Sequence, residues 1–228
     1  MSNSLVIFVK APLAGDVKTR LVPTLSLSQA AELYECFVRD IVRSMRRFKE
    51  ASVRIAYQPH ARIPDPSWIG SSLPYFKQEG HSLGERLSRA FVSAYQARAE
   101  RVVIIGCDSP TLPAAYVSQA FRMLEQCDIV LGPAADGGFY LVGMSKFCPG
   151  LFDQVVWSSE EVFDKILFNV RRDGYSLRTL PNYFDVDTPE ELEALWRSRE
   201  SNGLDETAPL TSRCMARLFS RRRMAFSA

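Results

Sequence analysis

Short apolar runs alternate along the chain with segments whose apolar residues recur at helical spacing. The apolar runs have strand length and are rich in Val, Ile and Leu; they lie at 5–9, 53–57, 101–106, 128–132, 137–144 and 177–181. Helical spacing follows near 26–48, 83–98 and 113–126, and again before Gly174 and after 188. This alternation predicts βαβ units, and therefore an α/β fold with a mostly parallel central sheet.

The first helical segment shows both its start and its buried face. Ser26 followed by Gln29 fits a capping box, in which each side chain satisfies a backbone N–H at the helix start. The apolar residues of the predicted buried face are Ala30, Leu33, Phe37, Ile41 and Met45. The pattern therefore predicts a long amphipathic helix packed on the sheet.

Composition narrows the class of protein. The 228 residues are 46% hydrophobic and 24% charged, with a net charge of +2, which fits one α/β domain and disfavours nucleic acid as a partner. No apolar run approaches the roughly 20 residues that span a bilayer, so no transmembrane segment is predicted. Five cysteines without a C-x-x-C pair favour a reducing compartment, and we expect a cytoplasmic protein.

The C-terminal part differs in composition from the rest. Residues 200–212 have the composition of a linker, and 213–223 carry five arginines and no acidic residue. The basic stretch fits a solvated tail, and it also fits a contact for a partner or an anionic surface. We therefore predict one folded domain over 1–199 and a linker with a basic tail over 200–228.

The first candidate site follows the first strand. The stretch "KAPLAGDVKTRL" (10–21) places Lys10, Lys18 and Arg20 around a turn in which Gly15 allows close backbone approach. Parallel sheets bind ligands beyond the carboxyl ends of their strands, so these cations could meet phosphate oxygens. The other interpretation is a solvated basic surface. Neither G-x-x-x-x-G-K-[ST] nor G-x-G-x-x-G is present.

Acidic residues follow two later strands. Asp108 lies in "GCDSPTLP" (106–113), where it could bind Mg²⁺ or form an ordinary Asx turn. In "FDVDTPEEL" (184–192), Asp185 and Asp187 are separated by one residue, and we expect only one of them to point at Asp108. Asp187, next to the helix start predicted at Thr188, is the preferred second ligand.

Two further segments are candidates. Asp136 precedes a Gly pair in "GPAADGGFYLVG" (132–143), which fits a hairpin turn or a residue that binds or deprotonates an acceptor. In "QEGHSLGERL" (78–87), Ser82 and Glu85 fit a capping box, and the helix start there could receive an anion.

Six stretches, in this order, carry a family resemblance: "FVKAPLAGDVKTRL", "LGERL", "GCDSPTLP", "GPAADGGFYLVG", "WSSEEVF" and "FDVDTPEEL". Over about residues 5–199 the chain resembles the DUF2064 group of GT-A-like transferases, often labelled as glycosyltransferases of radical-SAM or arsenosugar gene clusters. The wider superfamily includes the phospholactate and molybdenum-cofactor guanylyltransferases. The resemblance implies a three-layer α/β/α Rossmann-like GT-A fold that holds a nucleotide with Mg²⁺ or Mn²⁺.

The resemblance also implies a function and a set of site residues. The expected activity is metal-dependent glycosyl transfer from a nucleotide sugar to a small-molecule acceptor. GT-A glycosyltransferases usually show D-x-D where this chain has "CDSP", so nucleotidyl transfer stays open, as does a non-catalytic nucleotide-binding module. The metal ligands are predicted to be Asp108 and Asp187, and the catalytic residues Asp108 and Asp136. The predicted nucleotide and phosphate contacts are Lys10, Ala11, Pro12, Gly15, Lys18, Thr19, Arg20, Ser82, Leu83 and Gly84.

Overall fold

A single mixed sheet forms the centre of the molecule. The computed structural model describes residues 2–22, 24–157, 159, 161–197, 199, 201 and 203–223. Of these, residues 221–223 are described without their side chains. Within these ranges seven strands form the sheet. The strands are β1 (Asn3–Lys10), β2 (Ser52–Gln58), β3 (Tyr75–Lys77), β4 (Arg101–Ile105), β5 (Ile129–Pro133), β6 (Phe139–Met144) and β7 (Leu177–Thr179).

The strand order is β3-β2-β1-β4-β6-β5-β7. Only β6 is antiparallel to its neighbours β4 and β5, and the other pairs are parallel. The prediction of a mostly parallel α/β sheet is therefore confirmed. The sequence did not predict β3, because two of its three residues are exposed and the segment carries no apolar run.

Helices cover both faces of the sheet. They are α1 (Leu27–Met45), α2 (Leu83–Gln96), α3 (Ala114–Met123), α4 (Val162–Arg172), α5 (Pro189–Arg197), α6 (Leu204–Thr207) and α7 (Pro209–Arg223). One core lies between the sheet and α1 and α3, and a second lies between the sheet and α2 and α4. This gives the expected three layers. None of the described helices has the length and apolarity needed to cross a bilayer.

The predicted start of α1 is confirmed in detail. The Ser26 hydroxyl accepts the backbone N–H of Gln29 at 3.2 Å, and the Gln29 side chain accepts the N–H of Ser26 at 2.9 Å. All five apolar residues expected on the buried face are buried. Local sequence therefore specifies both the first turn and the orientation of this helix.

The C-terminal segment differs from the prediction of a linker and a solvated tail. Most of 203–220 folds as α6 and α7, and α7 packs on α1 in a third apolar core. Its buried members from this segment are Leu204, Ala208, Cys214, Met215 and Leu218. Their helical spacing gives the segment an apolar face that its arginines conceal in the composition. Residues 224–228 of the predicted tail lie outside the described part of the chain.

A buried carboxylate of α1 holds the start of α7. Asp40 is almost fully buried, and its carboxylate accepts the backbone N–H groups of Leu210 at 3.2 Å and Thr211 at 2.7 Å. These N–H groups belong to the first turn of α7, where no intrahelical partner exists. Asp40 thus acts as a helix cap supplied by a neighbouring helix.

We predict that Asp40→Ala lowers the free energy of unfolding by about 2 kcal/mol, because it leaves buried N–H groups without an acceptor. Urea denaturation followed by circular dichroism measures this. Glu35→Ala is a matched control, since Glu35 lies on the same helix and makes a half-exposed ion pair with Arg39; its cost should stay below about 0.5 kcal/mol. Equal losses in the two variants would contradict the capping role.

Candidate functional site

A buried lysine joins two carboxylates beyond the carboxyl ends of β1 and β4. The side chain of Lys18 is only 2% exposed, and its ammonium forms ion pairs with Asp108 and, at 2.5 Å, with Asp187. Asp108 follows β4, and Asp187 lies just before α5. The Asp108 carbonyl accepts the backbone N–H of Val186 at 2.9 Å, which fixes the two segments side by side.

The two carboxylates keep this lysine charged. Burial lowers the pKa of Lys18, but the charges of Asp108 and Asp187 and the hydrogen bonds to them outweigh burial, so that the pKa lies above its usual value. The ring of Phe37 adds a cation–π contact, with the ammonium 5.6 Å from the ring centre. Lys18 has a φ of 49°, in the left-handed region that a non-glycine residue seldom adopts. The loop therefore accepts some backbone strain to place this ammonium.

Asp187 also belongs to a group of three carboxylates. Asp136, Asp185 and Asp187 each offer an oxygen atom, and these atoms all lie within 4.8 Å of one another. Asp185 is buried, and one of its oxygens has no hydrogen-bond partner. Burial, with the nearby charges of Asp136 and Asp187, raises the pKa of Asp185 to about 7. A buried carboxylate oxygen that lacks a hydrogen-bond donor, next to two further carboxylates, fits a divalent cation with a preference for oxygen ligands.

The turn between β5 and β6 supplies Asp136. The carboxylate accepts the backbone N–H of Gly138 at 2.9 Å, and Gly137 has a φ of 86°, which favours glycine. The stretch therefore forms the predicted hairpin turn, and the same turn carries Asp136 to the acidic group.

A cavity of about 220 Å³ opens next to Asp108. Its walls come from β1, β2, β4 and β6 and from the first turns of α2, and they are largely apolar. Residues that line it include Lys10, Tyr34, Gln78, Leu83, Asp108 and Phe139. Lys10 and Leu83, two of the predicted contacts, thus share one cavity with Asp108.

The other residues of the cationic loop have mixed positions. The Lys10 ammonium donates to the Asp16 carbonyl at 2.8 Å and so closes the loop on itself. Arg20 is 61% exposed and lies 3.9 Å from Asp187. Gly15 has a φ of 93° at the turn. Thr19 begins a short 3₁₀ turn and is exposed. These residues leave Arg20 as the cation most open to a ligand.

The start of the loop follows β1 directly. The N–H of Ala11 donates to the carbonyl of Gln58 at 2.9 Å, and Ala11 is buried. Pro12 is half-buried. Their position therefore extends the pairing of β1 with β2 by one residue.

The start of α2 forms only half of the predicted capping box, because Glu85 pairs with the N–H of His81 rather than with that of Ser82. The Ser82 hydroxyl accepts the N–H of Glu85 at 3.2 Å, and Glu85 accepts the N–H of His81 at 2.9 Å. A side chain at Gly84 would lie about 3.1 Å from Phe152 and Trp157, so the glycine allows close packing there. Gly84 is therefore explained by packing, whereas Leu83 lines the cavity.

Asp185 is the member of the acidic group that the sequence reasoning missed. Residues two positions apart in an extended segment point to the same side, so the expectation that only one of Asp185 and Asp187 would face the site was wrong. In the structure, residues 184–187 follow an isolated bridge at Tyr183 and belong to no regular strand. Both carboxylates belong to the same group. The available signal was the pair of acidic residues itself, which is costly to bring together without a cation.

A family model described as an uncharacterized protein conserved in bacteria (DUF2064) matches residues 41–159, which is more than half of the chain. The chain belongs to the DUF2064 family. The crystal structure of a candidate nucleotide-diphospho-sugar transferase from Desulfovibrio desulfuricans G20 is 34% identical, with a TM-score of 0.86. The match covers 96% of this chain and 98% of that one.

More distant structures share the fold of this DUF2064 protein. A cytidylyltransferase from Leptospira borgpetersenii is 15% identical with a TM-score of 0.58, and the match covers 100% of this chain and 96% of that one. CMP:2-keto-3-deoxy-manno-octonic acid synthetase, solved with CTP, is 12% identical with a TM-score of 0.53, covering 90% of this chain and 100% of that one. No curated protein matches the sequence. The prediction that the chain belongs with the transferases is confirmed at the level of family and fold.

We predict that Lys18→Met lowers the free energy of unfolding by about 2 kcal/mol in metal-free buffer. The variant leaves Asp108 and Asp187 facing each other without a cation, although their side chains are 49% and 28% exposed and water screens part of the repulsion. Guanidinium denaturation measures the change. Lys10→Met, which removes a hydrogen bond in an exposed loop, should cost less than about 1 kcal/mol. Similar losses in both variants would speak against the ion pairs as a source of stability.

Proposed function

We propose that this DUF2064 protein is a metal-dependent GT-A-type glycosyltransferase that uses a nucleotide sugar as its donor. The observation that carries the proposal is the meeting of Lys18, Asp108 and Asp187 at the carboxyl edge of the sheet, beside a cavity. Open α/β sheets bind ligands at this edge. The candidate nucleotide-diphospho-sugar transferase from Desulfovibrio supports the choice of donor.

The carboxylates assign the metal ligands. Asp187 pairs with Lys18 and also belongs to the acidic group, so we assign it as the first metal ligand. Asp185 and Asp136 stand beside it, and Asp108 is the ligand assigned from the family resemblance. When bound there, Mg²⁺ or Mn²⁺ would neutralise charge that develops on the phosphate oxygens of the donor.

Cationic residues of the loop serve the phosphates. Arg20 is exposed next to Asp187, where its guanidinium can pair with phosphate oxygens. Lys18 supplies a buried positive charge beneath the loop. The loop backbone around Gly15 leaves room for a phosphate group to approach closely. Leu83 and Phe139 give the neighbouring cavity apolar walls that suit a nucleoside. Cations and carboxylates thus face a diphosphate from two sides.

We assign Asp136 the role of the base. One of its oxygens accepts the Gly138 N–H, which orients the carboxylate and leaves the other oxygen for an acceptor hydroxyl. In glycosyl transfer the acceptor oxygen attacks the anomeric carbon, its proton passes to Asp136, and the nucleoside diphosphate leaves. Electrostatic stabilisation of that leaving group is then the main contribution of Lys18 and Arg20.

Nucleotidyl transfer is the second candidate, and the fold neighbours favour it. Two of them are named as a cytidylyltransferase and a CMP-sugar-acid synthetase, the latter solved with CTP. In this reaction a phosphate oxygen of the acceptor attacks the α-phosphorus of a nucleoside triphosphate, and pyrophosphate leaves. The same cationic loop and carboxylates would serve both reactions.

We place the protein in the cytoplasm. Its five cysteines are all free thiols, which fits a reducing compartment.

The deciding experiment is a panel of nucleoside triphosphates and nucleotide sugars with Mg²⁺ or Mn²⁺ and mixed small-molecule acceptors, with products identified by mass spectrometry. We expect release of a nucleoside diphosphate from a nucleotide sugar. Release of pyrophosphate would establish nucleotidyl transfer instead. Binding of nucleotides without either product would contradict both reactions and identify a non-catalytic binding module.

We predict that Asp108→Ala lowers turnover by at least about 100-fold and removes the metal dependence of nucleotide binding. The side chain is about half exposed, so the variant should keep its fold. Isothermal titration with nucleotide, with and without Mn²⁺, measures binding, and product formation measures turnover. Asp153→Ala is the control, because its exposed carboxylate lies in the segment before α4. Full metal-dependent activity in Asp108→Ala would contradict the assignment.

A further inference from the structure

Two polar contacts set the register between α1 and α7. At one end, the carboxylate of Glu32 pairs with the guanidinium of Arg217. At the other end, Asp40 accepts the N–H groups of Leu210 and Thr211. Residues later in α1 therefore contact residues earlier in α7, and the two helices run antiparallel along this contact.

The middle of this contact holds two thiols. Cys36 lies one turn from Glu32 and one turn from Asp40, on the same face of α1. Cys214 lies three residues from both Arg217 and Thr211, on the matching face of α7. Both cysteines belong to the apolar core between these helices; Cys214 is buried and Cys36 is half-buried. The register thus places one thiol opposite the other.

The surroundings of this pair favour a thiolate. The guanidinium of Arg217 lies 3.8 Å from the sulfur of Cys214 and donates to it. A hydrogen bond between the two thiols lowers the pKa of Cys214 and raises that of Cys36. A cation next to a thiol is the usual arrangement of a reactive cysteine.

The other cysteines have different partners. Cys107 donates to the carbonyl of Phe8, Cys127 to that of Ile129, and Cys148 to that of Lys146. Burial raises the pKa of each of these three thiols. They therefore lack the activation that Arg217 gives to Cys214.

We propose that Cys36 and Cys214 form a redox-active pair that closes to an intramolecular disulfide when hydrogen peroxide oxidises it. One thiol loses its proton, the resulting thiolate attacks an oxygen of the peroxide, and the O–O bond breaks to give a sulfenic acid and a hydroxide, which takes up that proton and becomes the first water. The second thiol then attacks that sulfur, the S–O bond breaks, and a second water leaves with the thiol proton. One peroxide is reduced to two waters for each disulfide formed.

The cross-link would join α7 to the support of the candidate site. The apolar core that contains Cys214 also contains Leu21, at the end of the cationic loop, and Val186, between Asp185 and Asp187. A covalent bond across this core restricts the unfolded chain over most of its length. The oxidised protein should therefore unfold at a higher temperature. This inference does not depend on the proposed transferase activity.

The test treats the full chain with hydrogen peroxide, blocks the remaining thiols by alkylation and maps peptides by mass spectrometry without reduction. We expect a peptide pair joined through Cys36 and Cys214 and a rise in Tm of about 5 °C or more, both reversed by dithiothreitol. Cys36→Ser is the main variant, because its half-buried position tolerates a hydroxyl. It should show neither the linked peptides nor the shift in Tm.

Cys127→Ser serves as the matched control, and it should keep both the linked peptides and the shift. Cys214→Ala, which keeps the site apolar, should behave as Cys36→Ser does. Oxidation of the native chain to sulfinic acid, to disulfides between chains or to a linkage through other cysteines would overturn the proposal. So would linked Cys36 and Cys214 peptides that appear only after the protein has unfolded.

Discussion

The ammonium of Lys18 holds together the part of the structure on which the candidate site depends. It is buried beneath a loop, next to an aromatic ring, and it pairs with carboxylates from two segments that are distant in the sequence. Without a cation at this point, Asp108 and Asp187 would repel each other, and the loop would lose the reason for its left-handed residue. The ion pairs therefore set the loop after β1, the end of β4 and the entry to α5 in one arrangement.

The sequence predicts the main elements well because local and global signals agree in them. In α1 the capping pair Ser26 and Gln29, the apolar stripe and the burial of that stripe all point the same way. The strands with continuous apolar runs are predicted equally well, since they are buried on both faces of the sheet. The edge strand β3 escapes prediction because it buries little and carries no apolar run, whereas the equally short β7 at the other edge was expected within 177–181.

The site is predictable in part. Lys18, Asp108 and Asp187 are predicted as candidates because they follow predicted strands in the sequence. In the structure the Lys18 ammonium forms ion pairs with both carboxylates. Asp185 was set aside on the expectation that only one carboxylate of the pair would face the site, although residues two positions apart in an extended segment share a side. The C-terminal helix was missed for another reason: its arginines dominate the composition, whereas Asp40, a residue far away in the sequence, supplies its cap. Long-range partners of this kind leave no local pattern.

The reversal of β6 within an otherwise parallel sheet has a geometric consequence. A parallel connection would carry the chain back across a face of the sheet, usually through a helix, before the next strand could begin. The antiparallel return from β5 to β6 instead turns at the carboxyl edge, and Asp136 lies in that turn. The third carboxylate is therefore anchored between two hydrogen-bonded strands, with little chain entropy to lose. The strands on both sides of the turn therefore determine where this carboxylate lies.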